Sequence, residues 1–202
     1  MFQKKLGDFS IFICVVASLF LTSQVSHAQK LAVKTNLLYA ATTTPNLALE
    51  YGLNDKSTFN LAYGLNLFKY PDNAKFRHWA LQPEYRYWFC ERFNGHFVGA
   101  HLHGGQFNVC NDGFINTGML PGRFSRLDQE RRQGYLYGGG LSYGYHWLLS
   151  SRWSLEGTVG AGYARIHYEK FDCPTCSPIT GTGVYNYWGI TKLGLSLIYF
   201  IK

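Results

Sequence analysis

Apolar and polar residues alternate along most of this chain with a period of two. The last stretch sets the pattern. From Thr191 to Lys202, Leu193, Leu195, Leu197, Tyr199 and Ile201 fall on one face of a strand. Lys192, Gly194 and Ser196 fall on the other, until Ile198 and Phe200 blur the pattern. Such a strand needs a partner, and pairing it with the first strand of the same chain leaves no exposed edge. Reading back from there, the alternation predicts strands over Leu31–Ala41, Leu47–Tyr51, Phe59–Leu67, His78–Phe89, His96–Asn108, Tyr135–Leu148 and Trp153–Tyr163. With the last strand that makes eight. Pro83 cannot donate to a ladder, so a bulge is expected in the fourth strand.

The connections sort by side. Asn54–Ser57, Cys90–Gly95 and Leu149–Arg152 are short. On the opposite side Lys69–Arg77 is longer, and residues 109–133 and 169–184 read as the two long loops. Only Thr42–Asn46 is short there. Short turns on one side and longer loops on the other are the habit of bacterial outer-membrane barrels. Aromatics gather near the short turns, among them Tyr51, Phe59, Tyr85, Tyr87, Trp88, Phe89, Tyr145, Trp147, Trp153 and Tyr199, as an interfacial girdle would. A soluble barrel would put this bulk inside and polar residues outside; here the face opposite the bulk is small and polar. The fold expected is therefore all-β, an eight-stranded antiparallel up-and-down transmembrane β-barrel.

Composition agrees. The 202 residues suit one domain, aromatics make up 17% and glycines number 22. The one long apolar run is Phe9–Leu21, after Lys4-Lys5 and before Ser26-His27-Ala28. That is the order of a secretory signal, so residues 1–28 are expected to be a cleaved signal peptide and 29–202 the barrel. The formal net charge of +7 suits acidic lipid head groups. No helix-turn-helix, zinc-finger spacing or aromatic-basic RNA-binding signature points to nucleic acid.

Candidate chemistry is sparse. Glu50, Glu84, Arg86, Glu156, Arg165 and Lys192 fall at or near inward positions, where a narrow lumen forces charges to pair. They read as an ion-pair network filling the lumen; a gated ion path or a substrate site is the alternative. In the long loop Arg123, Arg126, Arg131 and Arg132 read equally as a solvated loop or as contacts to lipopolysaccharide phosphates or a surface partner. Cys173 and Cys176 share the last outer loop and either pair with each other or offer one partner to Cys110. Cys90 and Cys110 bracket one spanning strand and are too far apart to bond. His96, His101 and His103 cluster without a matching carboxylate or cysteine, so no metal is expected, and no cofactor. Ser142 and His146 share a face but lie about 13 Å apart along the strand. No nucleophile elbow is present, and no catalytic residue is assigned.

The strings Lys34-Thr35-Asn36-Leu37-Leu38-Tyr39, Thr44-Pro45-Asn46-Leu47, Gln82-Pro83-Glu84-Tyr85-Arg86-Tyr87-Trp88, Gly140-Leu141-Ser142-Tyr143-Gly144-Tyr145 and Gly189-Ile190-Thr191-Lys192-Leu193-Gly194 resemble a Bacteroidetes outer-membrane β-barrel family of unknown function, domain-of-unknown-function family 3575. His78-Trp79 is similar to it as well. The resemblance implies an outer-membrane barrel often encoded near surface-fimbria genes, with no established catalytic residues. The spacing Lys192-x-Gly194-x-x-Leu197-x-Tyr199 also resembles the C-terminal signal read by the barrel-assembly machinery. The expected role is thus non-enzymatic, surface or structural, in fimbrial assembly or adhesion. Its expected partners are outer-membrane lipid and lipopolysaccharide, that machinery, and fimbrial or surface proteins. A narrow channel and a lipid A-modifying enzyme are the alternatives.

Overall fold

The structure, a computed structural model, describes residues 30–67, 75–110, 130–172 and 178–201. The expected signal peptide lies outside them. Eight strands follow one another: β1 (Leu31–Asn36), β2 (Asn46–Asn54), β3 (Ser57–Asn66), β4 (Lys75–Trp88), β5 (Gly95–Cys110), β6 (Glu130–Leu148), β7 (Trp153–Asp172) and β8 (Ile179–Ile201). Each pairs antiparallel with the next, and β8 returns to β1 through Leu31↔Ile201 to Asn36↔Ser196. The barrel is closed.

The first strand is shorter than its alternation suggests. The expected strand over Leu31–Ala41 stops at Asn36, and Leu37–Ala41 forms a short helix, α1. Asn36 makes the switch. Its backbone caps the helix and its Oδ1 accepts from the Leu38 amide. The same side chain donates to the Leu193 carbonyl at 3.1 Å and accepts from the Leu195 amide at 3.2 Å. A side-chain amide thus stands where the next β1 residue would have paired with β8.

The opposite correction applies to the loops. The described ends of residues 109–133 and 169–184 are strand: β5 runs to Cys110, β6 starts at Glu130, β7 runs to Asp172 and β8 starts at Ile179. Likewise β4 starts at Lys75, inside the stretch expected as a loop. Pairs such as Arg132↔Lys170, Gln133↔Glu169 and Glu169↔Thr182 continue the ladder well past the apolar alternation. Backbone pairing needs no hydrophobic face, so a polar strand was indistinguishable from a loop in the sequence.

The bulge expected at Pro83 does not form. Register is unchanged through Leu61↔Pro83, and only the pairing toward β5 lapses, between Leu81↔Gly104 and Glu84↔His101. Register shifts fall elsewhere, at Gly52/Asn54, at Lys170/Phe171 and between Gly160 and Ala161, opposite Ile190–Lys192 on β8. Lys192 keeps the inward parity of Gly194 and Ser196, and the extra residue, Thr191, lets Ile190 stay outside with Leu193.

Sidedness is the reverse of a soluble core. Leu141 is 70% exposed, Leu102 66% and Trp188 77%, all on the outer wall, whereas Glu50, Glu84 and Glu156 are no more than 1% exposed inside. Outward aromatics form two belts. One lies near the short turns, with Tyr51, Phe59, Tyr87, Trp147, Trp153 and Tyr199. The other, which the sequence pattern alone did not separate, holds Tyr63, Trp79, Tyr137, Tyr163 and Trp188. Leu61, Leu81, Val98, Leu141, Val159 and Leu195 lie between them. On β6, β7 and β8 the belts stand about ten residues apart, the run a tilted strand needs to cross a bilayer core, and on β3 and β4 they lie closer.

The end carrying the short turns is stoppered by Ala32, Trp88, Phe93, Phe97, Ile198 and Phe200, all buried. The Trp88 and Phe97 rings lie 4.8 Å apart and those of Phe93 and Phe200 5.2 Å. Ile198 and Phe200, which break the alternation of the last strand, break it because they point into this plug. Phe93 reaches it from the turn at φ 62, a left-handed conformation held by burial of its ring.

Inward glycines let β5, β6 and β7 approach closely. A Cβ on Gly140 would run into the Ala161 carbonyl, and one on Gly162 into that of Gly139. Gly140→Val is therefore expected to destabilise the barrel by about 1–3 kcal/mol through overpacking. A urea titration of the folded protein measures it, with the outward Gly104, where an added Cβ meets only the Leu136 carbonyl at 3.7 Å, as the tolerant control.

Candidate lumen site

Above the apolar plug the strands deliver a layer of charge. β1 brings Lys34, β2 Glu50, β4 both Glu84 and Arg86, β7 Glu156 and β8 Lys192. Each follows from alternation: it is the polar residue whose neighbours point outward. Arg86 is the hub. Its Nη1 lies 2.8 Å from Glu50 Oε2 and 2.9 Å from Glu156 Oε2, and its Nε 2.5 Å from Glu84 Oε2. Lys192 Nζ reaches Glu84 Oε2 at 2.7 Å and Lys34 Nζ reaches Glu156 Oε2 at 2.7 Å. Lys34 also pairs with Glu50.

The remaining carboxylate oxygens are satisfied by hydroxyls. Ser142 Oγ donates to Glu84 Oε1 at 2.5 Å, Thr158 Oγ1 to Glu156 Oε1 at 3.0 Å, and Thr58 to Glu50. The Arg86 guanidinium lies 4.5 Å over the Phe97 ring, so the charge layer rests directly on the plug. The cluster holds three carboxylates and three side-chain cations. Such balance is what burial of ions requires, because an unpaired one carries its full desolvation cost.

Five of the six expected network residues meet here: Glu50, Glu84, Arg86, Glu156 and Lys192. The sixth does not. Arg165 is exposed on the outer wall, opposite Tyr137 on β6 and Asn186 on β8. On β7 the even-numbered residues face inward, as Glu156 and Thr158 do, and Arg165 is odd. The missed member is Lys34. Its signal was present, as the one charge among the apolar residues of β1.

The other candidates separate. Ser142 is committed to Glu84, and His146, 3.8 Å from Glu156, packs against Trp88 and Phe200; no hydrogen bond joins serine to histidine. His96 points outward and bonds the Tyr143 hydroxyl at 2.6 Å, while His101 and His103 face the lumen. Among the described residues no group of three or more His, Cys, Asp or Glu is placed to hold a metal ion. Above the charge layer a cavity of about 200 Å³ is bounded by Asn60, Gln82, Arg86, Thr158 and Lys192.

Two of the four arginines expected in the long loop are in strand. Arg131 and Arg132 belong to β6: Arg131 stacks over Phe171 at 4.7 Å and donates to Gln133, and Arg132 is buried with its guanidinium 5.5 Å from the Tyr168 ring centre. Arg123 and Arg126 lie outside the described residues. Cys110 is disulfide-bonded and Cys90 is free and exposed; Cys173 and Cys176 lie outside the described residues.

Fold and interior together define a closed, eight-stranded antiparallel barrel with an apolar wall and a filled, charge-paired lumen. The chain belongs to a family described as protein of unknown function (DUF3575), whose profile matches residues 11–201. No curated protein and no solved structure matches it significantly.

Proposed function

We propose that this protein is a bacterial outer-membrane barrel with a non-enzymatic surface or structural role. Its tall polar rim would serve as the platform for a partner, with fimbrial or adhesive surface proteins as the class in view. The observation that carries this reading is the inverted sidedness: large apolar side chains exposed between two aromatic belts, and a charge layer paired inside the lumen. Residues 1–28 fit it as the export signal. The lumen argues against the channel alternative. An apolar plug and a balanced charge layer lie across the bore.

Two measurements test the reading. The folded protein is expected to migrate differently from boiled protein on a denaturing gel and to insert into phosphatidylcholine vesicles; an unshifted band and no insertion would overturn it. In planar bilayers it is expected to be silent. Steady conductance that responds to Glu84→Gln would instead establish the channel. The enzyme alternative is tested separately, by lipid A mass spectra with and without the gene.

A further inference from the structure

The displaced arginine draws attention to the outer wall. Arg165 and Arg77 both point outward, and neither forms an ion pair or hydrogen bond among the described residues. Counted from the turn end of each strand, Arg77 is eleven residues from Trp88 and Arg165 twelve from Trp153. Each stands two residues beyond the second aromatic belt, past Trp79 on β4 and past Tyr163 on β7.

Directly beneath that level, between them, the wall is indented. Gly104 faces outward without a side chain, and the pairing of β4 to β5 lapses beside it. The result is a groove of about 420 Å³ walled by Trp79, Leu81, Leu102, Tyr135 and Tyr137. Its upper rim is polar: Trp79 Nε1 donates to Gln106 Oε1 at 3.2 Å, and Tyr135 and Tyr137 stack with His167. Arg165 is the register partner of Tyr137, and Arg77 lies two residues beyond Trp79. Among the described residues the nearest outward carboxylate along β7, Glu169, sits four residues beyond Arg165.

We propose that this is a binding site for one acylated, multiply phosphorylated lipid, its acyl chain in the Gly104 groove and its phosphates on Arg77 and Arg165. The inference rests on the outer-membrane reading above. An apolar groove opening on a membrane-facing wall takes an apolar chain, and arginine grips phosphate with two parallel hydrogen bonds. The arginines stand three strands apart, about 14 Å across the ladders, and four residues, about 13 Å, apart along the strands, because Arg77 is level by register with Glu169. A headgroup engaging both carries at least two anionic groups, because a single phosphate cannot sit in the forks of both.

The test uses the mature chain folded in zwitterionic detergent, titrated with a diphosphorylated multi-acyl lipid, its monophosphorylated form or phosphatidylcholine, and read by native mass spectrometry. Insertion into vesicles is confirmed first. The diphosphorylated lipid is expected to half-saturate at about tenfold lower concentration than phosphatidylcholine, with the monophosphorylated form between. Arg77→Gln or Arg165→Gln should bring the diphosphorylated lipid to the monophosphorylated level. Gly104→Leu, which fills the groove, should weaken all three lipids. Both arginines are exposed and unpaired among the described residues, so their variants remain informative if Gly104→Leu misfolds. Equal binding of the three lipids, an unchanged preference in the double arginine variant, or complete displacement by millimolar inorganic phosphate would each overturn the proposal. A protein that fails to insert overturns the barrel reading with it; one that inserts without preference overturns this inference alone.

Discussion

Arg86→Met is expected to be among the most damaging single substitutions in the barrel. The guanidinium contacts Glu50, Glu84 and Glu156, all buried. Removing it leaves three carboxylates facing two lysines in a space that water enters poorly. Breaking a buried pair by deleting one partner costs about 3–5 kcal/mol, most of it the desolvation of the charge left behind. The second change decides whether charge balance is the cause. Adding Glu50→Gln to Arg86→Met restores equal numbers of each sign and should recover part of the loss. Urea-induced unfolding of the four proteins of the cycle measures the coupling, expected at about 0.5–3 kcal/mol. Strict additivity of the two substitutions would show that the arginine acts by packing on Phe97 and not by its charge.

Leu141→Arg asks a different question, about what surrounds the wall. Leu141 is 70% exposed, between the belt at Trp147 and the belt at Tyr137. On a water-facing surface such a change stays within about 0.5 kcal/mol of neutral. At the middle of a bilayer the same arginine costs about 2–4 kcal/mol. The larger loss is expected in lipid vesicles, with Gln133→Arg, above the second belt, close to neutral. If both substitutions prove neutral in vesicles, the wall does not face lipid, and the outer-membrane placement and the lipid site fall with it.

The elements and the site differed in how far they could be read from residues. The strands of the apolar zone were visible because period two is enforced wherever one face meets an apolar medium and the other a polar one. Inward charges at Glu50, Glu84, Arg86, Glu156 and Lys192 were visible for the same reason. The rule gave out where its cause did. Beyond the second belt neither face is apolar, so the upper parts of β6, β7 and β8 looked like loops. Arg165 lies in that zone, and without the alternation its side was a guess; the parity of β7, fixed by Glu156 and Thr158, settles it. At Asn36 the local signal favoured a longer strand, and a capping amide bonded to β8 ended it.

By itself, then, the chain determined eight strands, their order, the sides of the connections and the polar residues that line the bore, since all of these follow from a local repeat of two and from turn chemistry. Only the folded barrel decided which charges meet, that Lys34 completes the balance, and that a plug of Trp88, Phe93, Phe97 and Phe200 lies under them. Those contacts join residues far apart in sequence: Lys34 and Glu156 are 122 positions from each other. Their meeting depends on the closure of β8 onto β1 and on the register of every ladder between, which no local pattern encodes.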